Sequence, residues 1–290
     1  MIGILGGSGL YDLEGLSDVE ERTLETAYGA PSDPYIVGKL SGQDVCFLPR
    51  HGRGHRFLPS EINHRANIMG FKMLGVRAII SVSAVGSLKE EYRPRDIVLP
   101  NQYFDRTKRA DDHTFFGQGV VAHIPFGDPA CDTLRRALLD TARSCIAESG
   151  LSTQVHEGGT YVNMEGPAFS TRAECDFHRH FGYDVVGMTS LAEAKLCREA
   201  EICYQAMSMI TDYDCWHAVE ADVSVESVIA HLMANSALAK QIVAAQVVAG
   251  VDVSSCSCQS ALQGALFTAP DAIPAARKEA LAPILRRYLD

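Results

Sequence analysis

The sequence predicts an α/β fold: a single domain with a central mixed β-sheet flanked by helices. Two observations support this class. Short apolar, β-branched segments alternate along the chain with longer segments whose apolar residues recur at helical spacing. No linker-like composition, low-complexity tract or repeat of solenoid period divides the 290 residues, so we expect residues 1–290 to form one domain.

Seven segments are predicted as strands, because each is a run of apolar and β-branched residues bounded by turn-forming or polar residues. In chain order they are residues 1–5, 44–48, 78–83, 96–99, 159–163, 184–188 and 203–211. Their alternation with helical segments favours a mixed or mostly parallel sheet with helices on both faces.

Helical segments fill most of the intervals between these strands. Residues 63–74 carry apolar side chains at helical spacing and end before Gly75, which is typical of a helix C-terminus. Two capping boxes mark further helix starts: Thr171 with Glu174, and Ser190 with Glu193. A third start is predicted at Ser224, an N-cap ahead of a long helix with Val225, Val228, Ile229 and Leu232 on one face.

The composition excludes several classes of partner. A formal net charge of −10 and the lack of a run of five like charges argue against a nucleic-acid partner. No apolar stretch approaches the roughly 18 residues of a membrane span, and no positively charged segment precedes an apolar one at the N-terminus. We therefore expect a soluble, cytoplasmic protein without a membrane partner.

Nine cysteines, an odd number, fit a reducing compartment in which buried thiols act as small apolar residues. Cys256 and Cys258 form the one closely spaced pair. Their C-x-C spacing differs from the C-x-x-C of zinc and redox sites, and no further ligand set accompanies them. We expect no metal site, and whether the two cysteines pair stays open.

Three strand ends in the first 90 residues have groups suited to an anion. Glycines at residues 6–9 let backbone N–H groups approach an oxyanion, and Ser8 adds a hydroxyl. Arg50 and His51 follow the next strand, where a guanidinium offers two planar donors. Residues 83–87 end the third strand with hydroxyls and a glycine. Each segment alone could be a plain turn. The glycine spacing at residues 6–9 fits neither a dinucleotide-binding fingerprint nor a P-loop. Together, however, the three segments predict a phosphate site.

Three further strand ends lie in the second half. Residues 160–170 pass through a Gly-Pro break to a helix cap, and the ring of Phe169 could stack on a flat ligand or pack in the core. Residues 186–190 lead from a strand to a helix through a methionine and a threonine. Asp212 and Asp214 end the last strand, where two carboxyl groups can act on one ligand, shape a helix entry or form an acidic metal pair.

These segments together resemble the S-methyl-5'-thioadenosine phosphorylases, within the wider trimeric purine nucleoside phosphorylase family. The matching motifs, in the family's order, are residues 6–9 (GGSG), 50–52 (RHG), 83–88 (SAVGSL), 165–170 (EGPAFS), 187–189 (GMT) and 211–216 (TDYDCW). The resemblance covers about residues 2–250. It implies a nucleoside phosphorylase-like fold and a pentosyltransferase reaction in which phosphate attacks C1' of a nucleoside. Residues 251–290 are expected to be a C-terminal extension with a final helix, particular to this chain.

The resemblance also implies a role for individual residues. Phosphate would be bound by Ser8, Arg50, His51, Ser83, Ala84 (through its backbone) and Thr189. The nucleoside would be contacted by Gly86, Phe169, Met188, Asp212 and Asp214, of which the two aspartates are catalytic. Substrate specificity would depend on Ser170, Val225 and Val228, and His123 would reach a neighbouring subunit's pocket in a homotrimer. Inorganic phosphate is the co-substrate, and no cofactor is implied.

Asp212 and Asp214 favour a 6-aminopurine. A carboxyl group accepts from the N6 amino group and, when protonated, donates to N7, whereas a 6-oxopurine presents an acceptor at O6. Val225 and Val228 would suit a methylthio group, although both could simply face the core. We therefore expect phosphorolysis of S-methyl-5'-thioadenosine to adenine and 5-methylthioribose 1-phosphate, a step of methionine and purine salvage.

Three other functions stay open. The first is a broader purine nucleoside or S-methyl-5'-thioinosine phosphorylase, the second a hydrolase, and the third a nucleotide-binding regulator without catalysis. Three positions depart from the residues common in the family, which could loosen phosphate affinity or specificity: Ser8, Ser83 and Ala192.

Overall fold

The computed structural model of the chain describes residues 1–6, 15–217 and 225–289, without the side chains of residues 110, 225–230, 232 and 233. The described residues form an eleven-stranded sheet and seven α-helices. The strands are β1 (Ile2–Gly6), β2 (Leu16–Arg22), β3 (Tyr35–Leu40), β4 (Gln43–Pro49), β5 (Ala78–Ser87), β6 (Ile97–Leu99), β7 (Gln102–Asp105), β8 (Val155–Glu157), β9 (Thr160–Asn163), β10 (Val185–Gly187) and β11 (Cys203–Asp212). The helices are α1 (His64–Met73), α2 (Asp132–Ser149), α3 (Arg172–His180), α4 (Ser190–Glu199), α5 (Val225–Ala249), α6 (Ala275–Ala280) and α7 (Ala282–Leu289).

The sheet is built around β5, which pairs with three other strands. Its first half lies parallel to β1, its last two residues pair antiparallel with β10, and β11 runs parallel to it along nearly its whole length. The strand order is β2-β3-β4-β1-β5-β10-β9-β7, and β11 continues from β5 to β6 and β8. Because β4, β1, β5 and β11 are parallel, their carboxyl ends meet at one edge, which is where α/β sheets bind ligands.

Alternate side chains of the central strands enter two different cores. Ile4 and Ile80 join the core on one face, which α2 and α5 cover. Leu5 and Ile79 join the core on the other face, which is covered by α1, α4 and α7. Because both faces are buried, these strands are apolar at successive positions, and this is why the sequence reveals them.

The predicted fold class is confirmed, and each of the seven predicted strands has a counterpart in the sheet. Sequence reasoning missed β2, β3, β7 and β8. In β2 nearly every side chain is exposed, and the strand pairs at the sheet edge with β3. An edge strand with charged side chains has no continuous apolar run, so its sequence does not differ from that of a polar loop.

Two of the predicted helix starts are confirmed. The side chain of Asn63 accepts a hydrogen bond from the backbone of α1, as an N-cap residue does. In α3, Thr171 Oγ1 accepts from Glu174 N at 3.2 Å, and Glu174 Oε2 accepts from Thr171 N at 2.9 Å. These reciprocal bonds are the predicted capping box.

The capping box predicted at Ser190 is wrong. Thr189 is the N-cap of α4, and the side chain of Glu193 is buried against Arg50 instead of returning to the backbone. The predicted N-cap at Ser224 lies outside the described residues.

The C-terminal residues join the main structure. Leu262, Ile273, Ile284 and Leu285 are buried in the same core as α1 and α4. The expectation that no further ligand set accompanies the Cys256 and Cys258 pair is wrong, because two more cysteines lie beside it: Cys131 and Cys203. All nine cysteines are free thiols. Among the helices that the structure describes, none has both the length and the apolar character needed to cross a membrane.

Candidate active site

A cavity of about 410 Å³ opens at the sheet edge where β4, β5, β10 and β11 end. This volume is within the range of small-molecule pockets. The cavity wall brings together most of the predicted site residues, namely Arg50, His51, Ser83, Ala84, Gly86, Phe169, Met188, Thr189, Asp212 and Asp214.

For three predicted site residues the structure does not describe the side chain. Ser8 is not among the described residues. The helix α5 begins at Val225, as predicted, but the side chains of Val225 and Val228 are not described. Their predicted roles in phosphate binding and in the methylthio pocket therefore stay predictions.

Two further predicted residues lie away from the cavity wall. Ser170 is not among the residues that line it, and its hydroxyl donates to Met164 Sδ at 3.9 Å. His123 is exposed, and its ring packs edge-on against Phe267 with the ring centroids 5.0 Å apart. Neither residue contacts the cavity of its own chain directly.

Arg50 is buried, and the protein itself fixes its guanidinium. Nε and Nη2 contact the carboxylate of Glu193, Nη2 donates to Ser81 Oγ at 2.6 Å, and Nη1 donates to Val82 O at 3.0 Å. These bonds leave one Nη1 proton for the cavity that Arg50 lines. The guanidinium therefore presents one rigidly held donor, where the sequence predicted two.

His51 is neutral at pH 7. Its burial and the nearby charge of Arg50 lower the pKa of the imidazole to about 4. Nδ1 lies 2.8 Å from Phe57 O, and since a carbonyl can only accept, we assign the proton to Nδ1. Nε2 is then an acceptor, which suits the hydroxyl group of a monoprotonated phosphate.

Two further features favour an anion beside Arg50. The N-cap of α4, Thr189, lines the cavity, so the positive end of the helix dipole lies at the wall. Ser83 Oγ is buried without a hydrogen-bond partner among the described residues. A buried hydroxyl without a partner costs free energy, so Ser83 is a candidate donor to an anion.

Burial raises the pKa of both aspartates at the end of β11. Asp212 is held within its own loop, because Thr211 Oγ1 donates to its Oδ2 at 2.7 Å and Asp214 N donates to its Oδ1 at 2.8 Å. Asp214 Oδ2 is buried and has no partner in the described part of the chain. The two residues therefore differ: both carboxylate oxygens of Asp212 accept hydrogen bonds within its own loop, whereas Asp214 Oδ2 has no partner among the described residues.

A register shift in β11 brings these groups to the cavity. Ile210 pairs with Val85 and Asp212 pairs with Gly86, so Thr211 is an extra residue in β11. Thr211 and Asp212 both line the cavity although they are consecutive. Regular alternation would place their side chains on opposite faces of the sheet.

The wall also has apolar groups for a flat ligand. Phe169 lines the cavity and is 48% exposed, so its ring is not in the core and is free to stack on a ring system. Met188 packs against Gly166, where a Cβ atom would lie 2.5 Å from Met188 Sδ. Gly166 thus gives the thioether its position on the wall.

Sequence reasoning missed three residues that shape the site: Ser81, Glu193 and Asn235. The first two fix the guanidinium of Arg50, and Asn235 Nδ2 donates to Ile210 O at 3.1 Å, which ties α5 to the end of β11. A signal for Glu193 was present, since it is a lone acid in the apolar segment 191–197. Its match to a capping box hid that signal.

The sheet edge thus combines an anion-binding wall with a buried carboxyl group of raised pKa, the arrangement expected of an enzyme that joins an anion to one part of a substrate and protonates another. The chain matches the family model of the phosphorylase superfamily over residues 1–248. The chain belongs to this superfamily, and the range agrees with the resemblance over about residues 2–250.

Individual relatives are more specific. The chain is 53% identical over 289 residues to the S-methyl-5'-thioadenosine phosphorylase of Geobacter sulfurreducens, covering 100% of this chain and 99% of the relative. It is 52% identical over 287 residues to the protein of the same name from Koribacter versatilis, covering 99% and 96%. Among solved structures, a methylthioadenosine phosphorylase from an Antarctic soil metagenomic library has a TM-score of 0.90 at 44% identity, with 98% of each chain covered.

A second solved structure extends the comparison. Methylthioadenosine phosphorylase from Schistosoma mansoni in complex with adenine has a TM-score of 0.85 at 32% identity, covering 92% of this chain and 98% of that one.

The alignment with the Geobacter protein covers 100% of this chain and so extends through residues 251–290. The expectation that this C-terminal segment is particular to this chain is therefore wrong.

Proposed function

We infer that this enzyme catalyses the phosphorolysis of S-methyl-5'-thioadenosine, which yields adenine and 5-methylthioribose 1-phosphate. Relatives at 52–53% identity over nearly the whole chain carry this activity in their names. One structural observation carries the proposal. Asp214 lines the same cavity as the anion-binding groups, and its Oδ2 atom is buried without a hydrogen-bond partner among the described residues.

Phosphate would bind between the guanidinium of Arg50, Ser83 and the N-terminus of α4 at Thr189. The Ser83 hydroxyl and the remaining Nη1 proton of Arg50 donate to phosphate oxygens, and Nε2 of His51 accepts from the phosphate hydroxyl. Each charge-assisted hydrogen bond contributes about 1.5–3 kcal/mol, so a few bonds suffice to hold and orient the anion. A phosphate oxygen then attacks C1' while positive charge develops on the sugar, which the anion stabilises.

The purine leaves as its bond to C1' breaks, and negative charge builds on the base. Protonated Asp214 donates to N7, so the base leaves as neutral adenine, and the resulting carboxylate regains its proton from solvent. Burial raises the pKa of Asp214 and so favours the protonated form that can donate. Phe169 stacks on the base, and Met188 packs against the ribose.

The variant Asp214→Asn tests this mechanism. An amide can donate a hydrogen bond but cannot transfer a proton, so we expect kcat/KM for methylthioadenosine to fall at least about 100-fold. The activity of the variant on methylthioinosine should rise relative to its activity on methylthioadenosine, because an amide N–H can donate to O6. In the wild type, kcat should fall as the pH rises through the raised pKa of Asp214. The variant should not show this fall of kcat, because its amide does not titrate. Asp176→Asn is the matched control, because it makes the same substitution at an exposed aspartate.

Three outcomes would contradict the proposal. If Asp214→Asn keeps the wild-type preference for adenine, our account of base recognition is wrong. Equal wild-type turnover of methylthioinosine or inosine would indicate a broader purine nucleoside phosphorylase. Activity that persists unchanged in phosphate-free buffer would indicate a hydrolase.

We also propose that the enzyme acts in the cytoplasm as a homotrimer and needs no cofactor. The oligomer is supported by exposed apolar side chains around His123: Val121 is 47% exposed and Phe267 is 71% exposed. Exposed apolar groups that adjoin one another are typical of subunit contacts. In this arrangement His123 would approach the pocket of a neighbouring subunit. The need for no cofactor follows from the reaction, since phosphate supplies the nucleophile.

A further inference from the structure

Four cysteines converge at the end of the sheet that is remote from the cavity. The Sγ atoms of Cys131, Cys203, Cys256 and Cys258 all lie within 4.8 Å of one another. Cys203 is the first residue of β11 and Asp212 is the last, which separates the cluster from the active site by roughly 30 Å at about 3.3 Å per residue. The cluster therefore plays no part in the reaction proposed above.

The spacing of the sulfurs fits a tetrahedral ion. Zn–S bonds of about 2.3 Å place the four sulfurs of a tetrahedral site about 3.8 Å apart. Cys131 Sγ and Cys256 Sγ are 3.6 Å apart, and no pair exceeds 4.8 Å. A disulfide needs about 2.05 Å between sulfurs, and all four thiols are free. Movements of less than about 1 Å would bring each sulfur to a bonding distance from a central Zn²⁺.

Two of these cysteines, Cys131 and Cys203, have neighbouring groups that suit a metal-bound sulfur. Cys131 is the N-cap of α2, where the positive end of the helix dipole stabilises negative charge. Gln259 Nε2 donates to Cys203 Sγ at 3.5 Å, the kind of outer contact that orients a metal ligand.

Burial of the cluster also fits a structural ion. Cys131, Cys203 and Cys258 are buried, with at most 5% of each residue exposed, whereas Cys256 is partly exposed. An ion could thus enter beside Cys256, and apolar core residues would then shield it from water. Four sulfur ligands leave no open position for a substrate, which is the mark of a structural and not a catalytic zinc.

We propose that Cys131, Cys203, Cys256 and Cys258 bind one Zn²⁺ ion as a tetrahedral tetrathiolate site. The ion links three parts of the chain: the start of α2, the start of β11 and the segment that follows α5. Binding replaces the thiol protons, which pass to the buffer, and involves no change of oxidation state. The site fastens the C-terminal residues to the base of the central sheet.

Zinc uptake by the purified full-length chain tests the proposal. The protein is kept reduced with a phosphine, given Zn²⁺ alone, dialysed, and measured for bound metal by mass spectrometry. We expect about one Zn²⁺ per chain in the wild type and a loss of at least about tenfold in the double variant Cys256→Ser/Cys258→Ser. Cys145→Ser is the matched control, because this partly buried thiol lies outside the cluster, and it should bind as the wild type does.

Two further readouts separate a metal site from other states of the thiols. Co²⁺ in place of Zn²⁺ should give the sulfur-to-metal charge-transfer band of a thiolate complex, and Zn²⁺ should raise the Tm by at least about 3 °C. Phosphorolysis by the double variant should be retained, which shows that it folds. The proposal is overturned if the reduced wild type binds no Zn²⁺, if the double variant binds as much as the wild type, or if the cluster cysteines are recovered as a disulfide.

Discussion

At Gly86 the lack of a side chain leaves room for the carboxylate of Asp212. A Cβ atom there would lie 3.0 Å from Asp212 Oδ1, 3.2 Å from Val186 Cγ1 and 3.3 Å from Asp214 Cβ. All three distances are shorter than comfortable van der Waals contact. The positions of Asp212 and Asp214 therefore depend on the lack of a side chain at Gly86.

We expect Gly86→Ala to lower kcat/KM for methylthioadenosine by about 10- to 100-fold, since displacements of less than about 1 Å at a reacting group are costly. Steady-state kinetics would measure the effect. Gly127→Ala is the control, because a Cβ at that position meets nothing within 4 Å. Equal activity of the two variants would show that the aspartates tolerate the added methyl group.

Single residues differ in how well the sequence reveals them. Arg50 and Asp214 were predicted because each follows an apolar strand, where a charged group has no place in the core. The role of Glu193 was not predicted, because its partner Arg50 is 143 positions away and the two side chains meet only after folding. Local patterns report what a residue is and where its element ends, but not which buried charge it neutralises.

Among the helices, α4 shows how one element carries two buried acids in opposite states. Glu193 is ionised, because the charge of Arg50 and its hydrogen bonds outweigh desolvation and lower the pKa. For Glu199, at the other end of the helix, desolvation outweighs the hydrogen bonds from Phe115 and Thr114 and the charge of Lys195, and it raises the pKa to about 7. At pH 6 most of Glu199 is therefore neutral.

This difference predicts a contrast between two matched variants at pH 6. Glu193→Gln leaves the buried charge of Arg50 without its carboxylate and should lower the free energy of unfolding by about 3–5 kcal/mol. Glu199→Gln exchanges one neutral group for another and should cost less. Phosphate should restore more stability to Glu193→Gln than to the wild type, because the anion supplies the missing negative charge.

Thermal unfolding with and without phosphate would measure both effects. A Glu193→Gln variant as stable as the wild type would show that the ion pair contributes little. A variant that phosphate stabilises no more than the wild type would place the anion away from Arg50.

At the scale of the whole molecule, the resemblance and the exposed residues around His123 predict a trimer. Light scattering of the purified chain should give about three times its mass of 31.5 kDa. Phe267→Glu should shift the mass towards the monomer, because a charged group is costly to bury in an apolar contact. Leu151→Glu is the control, since Leu151 is also exposed, at 54%, but lies after α2. A monomeric wild type would contradict the prediction.

The strands could be predicted where burial on both faces leaves a run of apolar residues in the sequence. The strands with two covered faces, such as β1, β5 and β11, were found, and β2 was not because its exposed side chains obey no apolar pattern. Which strands pair, and hence which loops meet at the cavity, depends on contacts between distant segments. Those contacts entered the sequence prediction through the family resemblance and not through periodicity.

The extra residue Thr211 in β11 also restricts how such a pocket can diversify. Upstream of it β11 is a core strand, and from Thr211 onward two successive residues line the cavity. Loss of one residue at this position would turn the acid of Asp212 towards the opposite layer of the protein. A change in the length of β11 at this point would therefore rebuild the cavity wall, whereas an exchange of amino acids here would leave the register of the strand unchanged.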